Sequence, residues 1–278
     1  MNSRQNHSPA PGDDDEAMGG TVFEQSYRVL AHEAEADGLA SPLALLDRLQ
    51  DAAGRDAARL GVAMEDLLRE GRTWFLARSR MRIERRPGRW ERFTVATWAS
   101  GREGLYYTRE FVFSDDGGAP LALATTDWFV FDLARGRPLR PGVLPPFPCR
   151  ESRLLRETPL GRIPGIEAAE PGYSVRVRPS DLDINRHVNN ALYVQWALDT
   201  MPPAFREEFS PFLIEAAYRQ AAGAGETVEC AVSPPGEDPV PERIHRLARK
   251  VDGTELARVR TMWGKRPVPL RAWPAAAR

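Results

Sequence analysis

Two stretches 135 residues apart share five of eleven positions. "GAPLALATTDW" (118–128) and "GTELARVRTMW" (253–263) match at Gly118/Gly253, Leu121/Leu256, Ala122/Ala257, Thr126/Thr261 and Trp128/Trp263. Each follows a Gly-containing turn signal, "DDGG" or "VDGTE", so each predicts the returning strand of a β-hairpin. A repeat at this spacing is one supersecondary unit used twice. The chain is therefore expected to hold two strand–helix–four-strand copies, each a sheet wrapped around one long helix.

The first copy is read over residues 21–134. "TVFEQSYRVLAHEA" (21–34) predicts a strand. "SPLALLDRLQDAAGRDAARLG" (41–61) predicts a helix, with Ser41 as N-cap, Pro42 at the first position and Gly61 at its end. "AMEDLLREG" predicts a second short helix. "RTWFLARSRMRIERR" alternates Phe75, Ala77, Met81 and Ile83 with Arg78, Arg80, Arg82 and Arg86, the pattern of a half-buried strand. Three further extended runs follow.

Residues 135–171 are dense in Pro and Arg and predict a linker over the surface, with a short helical piece near 150–157, because proline cannot join a central strand. The second copy spans 172–266. It has a strand at "YSVRVRPSDLD", a helix at "NNALYVQWALDTM" ending before Pro202-Pro203, and strands near 212–221, 226–233, 242–251 and 254–264. Residues 1–20 are polar and acidic and, like 267–278, are read as tails.

Charge and cysteine content narrow the function classes. The formal net charge is -1, with 28% charged residues, so nucleic acid is not an expected partner. The two cysteines, Cys149 and Cys230, have neither CxxC spacing nor a matching His pair, which argues against a zinc site. Two buried thiols in a reducing cytosol are the reading they favour. No apolar run approaches the roughly 20 residues that cross a bilayer, and no leader is evident. A cytoplasmic protein without membrane contact is expected.

"DLDINRHVNN" (181–190) places Asp183, Asn185 and His187 at alternate positions. On an extended backbone such residues share a face at about 6.5–7 Å spacing. They could then converge on one cavity beside a helix start capped by Asn189 or His187, where free N–H groups stabilise developing negative charge. Turn-making and helix capping account for the same residues. A calcium loop would need Gly at Arg186 and Glu at Leu192. An ungapped alignment through Tyr27/Tyr173 sets Asp37 on Asp183, Leu39 on Asn185 and Ser41 on His187. On that alignment the trio is complete in the second copy alone.

"RPSDLDINRHVNNALYVQWALDTMP" closely resembles the motif of the acyl-acyl carrier protein thioesterases. "GRTWFLARSRMRIERRPGRWERFTVATW" and "REFVFSDDGGAPLALATTDWFVFD" are similar to the family's first half. The resemblance covers roughly residues 22–265. It implies an α+β double hotdog fold and hydrolysis of a fatty acyl thioester carried on acyl carrier protein, with no metal or other cofactor. By motif, Asp183 is the catalytic carboxylate, attacking the thioester or activating water. Asn185 positions that carboxylate or the thioester carbonyl, and His187 supports proton transfer.

Candidate substrate-binding residues are Asn189, Asn190 and Trp196 on the following helix, with Arg78 and Arg80. These two belong to seven arginines between 78 and 92, which would suit phosphopantetheine and an acidic carrier, or would equally form a solvated strand face. The tryptophans are expected mainly in the core, and His245, alternating with Arg243, at the surface. The family's second acid is absent: Ala221 stands at its position, Gln220 is expected on the opposite strand face, and Glu215 lies about 20 Å away along an extended strand. A coenzyme A ester or polyketide-type product as substrate, or a non-catalytic acyl-binding protein, are the competing readings. The chain is expected as a monomer or homodimer.

Overall fold

The computed structural model describes residues 21–151, 154–155, 162–166, 169–236 and 240–266. The first copy contributes β1 (Phe23–Arg28), α1 (Pro42–Arg59), α2 (Met64–Arg69), β2 (Arg72–Ile83), β3 (Arg92–Glu103), β4 (Tyr106–Asp115) and β5 (Pro120–Asp132). A two-residue β6 (Arg137–Pro138) follows. The second copy contributes β7 (Glu170–Arg176), α3 (Asn190–Leu198), α4 (Pro203–Glu208), β8 (Phe209–Tyr218), β9 (Thr227–Val232), β10 (Glu242–Arg249) and β11 (Glu255–Lys265). The strands form one 11-stranded antiparallel sheet, ordered β1-β3-β4-β5-β2-β8-β11-β10-β9-β7, with β6 on the end of β5.

The repeat is visible in atoms. Trp128 Nε1 donates to Thr126 Oγ1 at 2.7 Å, and Trp263 Nε1 donates to Thr261 Oγ1 at 2.8 Å. The shared Thr-x-Trp thus makes the same side-chain bond in both copies. The copies join where β2 pairs with β8, in a register that sets Arg80 opposite Glu215. These residues are themselves 135 apart, so repeat equivalents face each other at the join. A local two-fold axis therefore passes between them. Arg80 Nε is ion-paired to Glu215, both residues are buried, and Arg80 Nη1 donates to the Leu155 carbonyl at 2.7 Å. Arg260 reaches the other Glu215 oxygen at 3.2 Å.

Each helix packs against its own half of the sheet. Ser41 Oγ accepts from Ala44 N at 3.1 Å and caps α1, which buries Leu45, Leu46, Leu49, Ala52 and Ala53. Asn189 caps α3 by accepting from Ala191 N at 3.0 Å. α3 has 9 residues against 18 in α1, so the second helix is not the long one that the repeat predicts. The chain instead turns at Met201–Pro202 into the unanticipated α4, with Pro203 at its first position.

Other expectations also change. β1 stops at Arg28 because a 3-10 turn (Ala31–Glu33) follows, with the Leu30 N–H donating to Glu33 Oε2 at 2.7 Å. A bulge between Leu76 and Arg78 breaks the alternation of β2, so Leu76 and Ala77 are both buried. The linker is not merely draped: Leu144 is buried with Val62, Leu67, Tyr107 and Val130, and Arg72 Nη1 holds the Val143 carbonyl at 2.7 Å. Much of the expected helical piece near 150–157, and both tails, lie outside the described residues. Cys230 is buried but Cys149 is exposed. Trp98, Trp196 and Trp263 are buried. Among the described residues, no helix is long and apolar enough to cross a membrane.

His245 is a core residue, not a surface one. Its ring is fully buried between Thr200 Oγ1 (2.9 Å from Nδ1) and Thr261 Oγ1 (2.9 Å from Nε2). The alternation with Arg243 misled because Arg243 is buried too, its Nη1 donating to the Glu242 carbonyl. Burial, with the nearby Arg243 charge, pushes the imidazole pKa down to about 3.

Arg80→Met alone should cost about 3–5 kcal/mol by leaving Glu215 a buried charge short of its main partner, whereas Arg80→Met with Glu215→Leu should recover most of that loss in urea denaturation. An unfolded histidine takes up a proton near pH 6.5, but the folded His245 does so only near pH 3. Its stabilising contribution is therefore full above pH 6.5 and falls on acidification through that window, by up to about 1.4 kcal/mol per pH unit. In His245→Gln that part of the acid slope should vanish.

Candidate active site

The segment around the polar trio is a turn, not a strand. A second 3-10 turn (Pro179–Asp181) leads in, and Leu182 bridges to Val188. The Asp183 N–H donates to the His187 carbonyl at 2.7 Å, and the Arg186 N–H to the Asp183 carbonyl at 3.0 Å. The Asp183 carboxylate closes the turn from within. Its Oδ1 accepts from the backbone N–H of Asn185 (2.8 Å) and of His187 (3.2 Å), and its Oδ2 from Asn185 Nδ2 at 3.3 Å. This is the short Asp-based turn that competes with strand pairing in such sequences. Alternate spacing on an extended backbone is therefore not what gathers the three side chains; the carboxylate's own hydrogen bonds do it.

All three side chains line one cavity, together with Asn190 and Gln50. Asn189 sits behind them. Its Oδ1 accepts from Gln50 Nε2 at 3.0 Å and its Nδ2 donates to Asp47 at 3.3 Å, which ties the α3 N-terminus to α1 of the first copy. From this polar end the cavity runs along α1, past Ala53, Ala57, Leu60 and Val62, to Trp74, Tyr107 and Phe147. Its polar end thus comes from the second copy and most of its apolar wall from the first.

Several candidate residues lie elsewhere. Trp196 packs in the core against Tyr193 at 5.6 Å and is not on the cavity wall. Arg78 pairs with Asp127 at 2.7 Å and Arg80 with Glu215, so both arginines serve the sheet and neither lines the cavity. Glu215 is held by Arg80 and Arg260 at the sheet centre.

Ala221 does line the cavity, and so does Gln220. Strand parity set them on opposite faces, but β8 ends at Tyr218 and parity ends with it. The Ala222 N–H donates to Tyr193 OH at 2.9 Å, and its carbonyl accepts from Val188 N at 3.0 Å, fixing this segment against the turn. Burial pushes the Tyr193 phenol up to about 12, so it stays protonated at the cavity wall. Among the described residues, Asp183 is the sole carboxylate lining the cavity. No group of three His, Cys, Asp or Glu among them could hold a metal ion.

The first copy carries an equivalent turn, displaced by two residues from the ungapped alignment. Glu35 N donates to the Leu39 carbonyl (2.9 Å), Gly38 N to the Glu35 carbonyl (2.9 Å) and Ser41 N to the Glu33 carbonyl (2.8 Å). These repeat the bonds of Asp183, Arg186 and Asn189 at an offset of 148. Glu35, Asp37 and Leu39 therefore match Asp183, Asn185 and His187. Two of the three positions are acidic in both or polar in both, and the imidazole alone has no polar counterpart. Here, however, arginines occupy the acids: Arg86 pairs with both, Arg266 joins Asp37, and Arg206 reaches Glu35 at 2.9 Å. The match also sets Arg186 (φ 62) on Gly38 (φ 77). An arginine thus adopts the left-handed backbone for which its counterpart uses glycine.

The acyl-ACP thioesterase N-terminal domain model matches residues 20–141, and the acyl-ACP thioesterase C-terminal domain model matches residues 167–265. The acyl-[acyl-carrier-protein] hydrolase FATB2 of Cuphea viscosissima is 27% identical over 265 residues, covering 88% of this chain and 63% of that protein. The palmitoyl-acyl carrier protein thioesterase of Gossypium hirsutum is 28% identical over 266 residues, covering 88% and 64%. The chain thus spans somewhat under two thirds of the length of these relatives. An acyl-ACP thioesterase from Bacteroides thetaiotaomicron has a similar structure (TM-score 0.77, 22% identity, 87% of this chain and 98% of that one). So does a double hotdog protein from Mycobacterium tuberculosis (TM-score 0.60, 13% identity, 91% and 98%). The fold is a double hotdog, and the chain belongs to the acyl-ACP thioesterase family.

Proposed function

We propose that this chain hydrolyses fatty acyl thioesters of acyl carrier protein to the free fatty acid and the carrier thiol. The observation that carries the reading is a single carboxylate, Asp183, oriented by its own turn at the mouth of an apolar cavity. With the acyl chain in that cavity, the thioester carbonyl lies at the turn. Asp183 takes a proton from a water as the water attacks the carbonyl carbon. The charge that develops on the carbonyl oxygen meets the start of α3, where the Asn190 N–H has no partner among the described residues. Collapse breaks the carbon–sulfur bond, and the leaving thiolate takes a proton, with His187 at the cavity wall placed to supply it. Asn185 is a positioning residue, since it donates to Asp183 from both backbone and side chain. Gln220 lines the cavity next to Ala221 and offers an amide, though not an acid, for holding the water.

The rim fits an anionic carrier. Arg186 is exposed on the turn between Asn185 and His187, and its guanidinium has no partner among the described residues. Ile184 beside it is 72% exposed. A free cation next to an apolar side chain suits the phosphopantetheine phosphate and the acidic carrier behind it. Both halves of the site come from one chain, so a monomer is a complete catalytic unit, alone or within a homodimer.

Release of fatty acid from carrier-bound substrates, compared with the same acyl groups on coenzyme A, tests the reading. Wild type should turn over the carrier thioesters faster, and Asp183→Asn should lower kcat by about 100-fold or more. The asparagine oxygen can still accept from Asn185 N and His187 N, so the melting temperature should barely move. Equal inertness of wild type and variant, with acyl chains still bound, would instead make this an acyl-binding protein, the reading that the absent second acid favours.

Arg186→Gly should behave differently. Relief of the left-handed arginine should hold or raise stability by up to about 1 kcal/mol. KM for carrier-bound substrate should rise several-fold with kcat unchanged.

A further inference from the structure

The apolar stretch of the cavity is interrupted by one guanidinium. Arg109, on β4, lines the wall among Leu60, Val62, Trp74 and Tyr107. Its side chain is 11% exposed, and its partner Asp56 on α1 is 1% exposed. Nη1 donates to Asp56 Oδ2 at 2.6 Å and to Thr97 Oγ1 at 3.2 Å. Asp56 Oδ1 is taken by Arg59, through Nε at 3.0 Å and Nη2 at 2.8 Å. A guanidinium carries five N–H groups. Nη1 uses two of them, and Nε and Nη2 of Arg109 have no partner among the described residues. Neither atom is among the fully buried polar atoms that lack a partner, so both keep some exposed surface, on a residue that lines the cavity.

A plain alkyl chain threading this cavity would strip water from three N–H groups and return no acceptor. A carbon chain carrying an oxygen at that depth would satisfy them. The positive charge itself is already balanced by Asp56, so what Arg109 lacks is an acceptor rather than a counter-ion. The depth follows from α1: Asp56 lies six residues beyond Gln50, about 9 Å further along the helix axis than the residue that touches the catalytic end. The oxygen would therefore sit in the middle of the chain, well away from the thioester.

We infer that the cavity selects acyl chains bearing a neutral oxygen, a hydroxyl or keto group, at mid-chain, and that Arg109 is the specificity-determining residue that reads it. The inference rests on the acyl-cavity reading above, not on hydrolysis itself.

The test uses fatty acids of one length, unsubstituted or with a hydroxyl walked from the middle of the chain to its end. They are assayed as carrier thioesters for kcat/KM on wild type and Arg109→Met, and as free acids for binding to the full-length Asp183→Asn protein. At one hydroxyl position, wild type should favour the hydroxylated chain by about tenfold or more, because a site with unfilled donors discriminates against the chain that lacks an acceptor. Arg109→Met should lose that preference and gain on the unsubstituted chain. Preference for the unsubstituted chain at every position, or a hydroxyl preference that survives in Arg109→Met, would overturn the inference. The binding arm needs no change at Arg109, so it decides even where that variant does not fold. Selective binding of a hydroxylated acid by a protein that hydrolyses nothing would uphold the cavity's specificity while removing the enzymatic reading. No binding of any fatty acid would remove both.

Discussion

The pairing of β2 with β8 is what makes this chain one molecule. Among the described residues it is the only direct strand-to-strand connection between the copies in the sheet order, and its register brings Arg80 against Glu215. An ion pair with both members buried contributes little net stability, because desolvation offsets the attraction, yet a mismatch there is severe. Its value is therefore in specifying register. Slipping β8 by one residue would turn Glu215 away from Arg80 and send every neighbouring side chain to the wrong face. With the register held, α1 and α3 lie on their own halves at a fixed spacing, and the Gln50–Asn189 hydrogen bond can cross between them. The cavity mouth depends on that crossing.

The asymmetry of the two helices then decides where a ligand fits. The long α1 lines the cavity from Gln50 to Leu60. The nine-residue α3 instead fills its half with Tyr193, Val194, Ala197 and Leu198, and its N-terminus abuts the turn that carries Asp183. The second copy thus supplies most of the polar end of the cavity and the first supplies the room. That division of labour is written in two near-identical turns, one with its carboxylate, Asp183, facing the cavity and one with its two acids facing arginines.

Local patterns carried most of the fold into the sequence. Ser41-Pro42 and Asn189 mark their helix starts because capping involves residues only two or three apart. The hairpins at 115–118 and 250–254 are equally local. Elsewhere tertiary context outweighs period. Asp183, Asn185 and His187 alternate like a strand, but a carboxylate that bonds two following amides makes a turn, and Asp-x-Asn is itself a turn signal. Gln50 and Gln220 belong to the site through packing alone, one from the other copy and one from just beyond a strand end, and no spacing within the motif points to them. At 243–245 alternation does not separate solvent from core, because His245 and Arg243 are both buried. Arg80 had a legible partner after all: equivalents that meet at a repeat's axis are separated by the repeat length, and Glu215 is that residue.

The arginine-locked turn of the first copy has a consequence for how damage to this protein would show itself. Glu35 and Asp37 are structurally equivalent to Asp183 and Asn185, yet they bind α4 and the end of β11 to the first copy through Arg206 and Arg266. Loss of a carboxylate at equivalent positions thus has two structural outcomes. At the first turn it loosens the joint between the halves and leaves less folded protein. At the second it removes hydrogen bonds made within one turn and leaves the joint between the halves untouched.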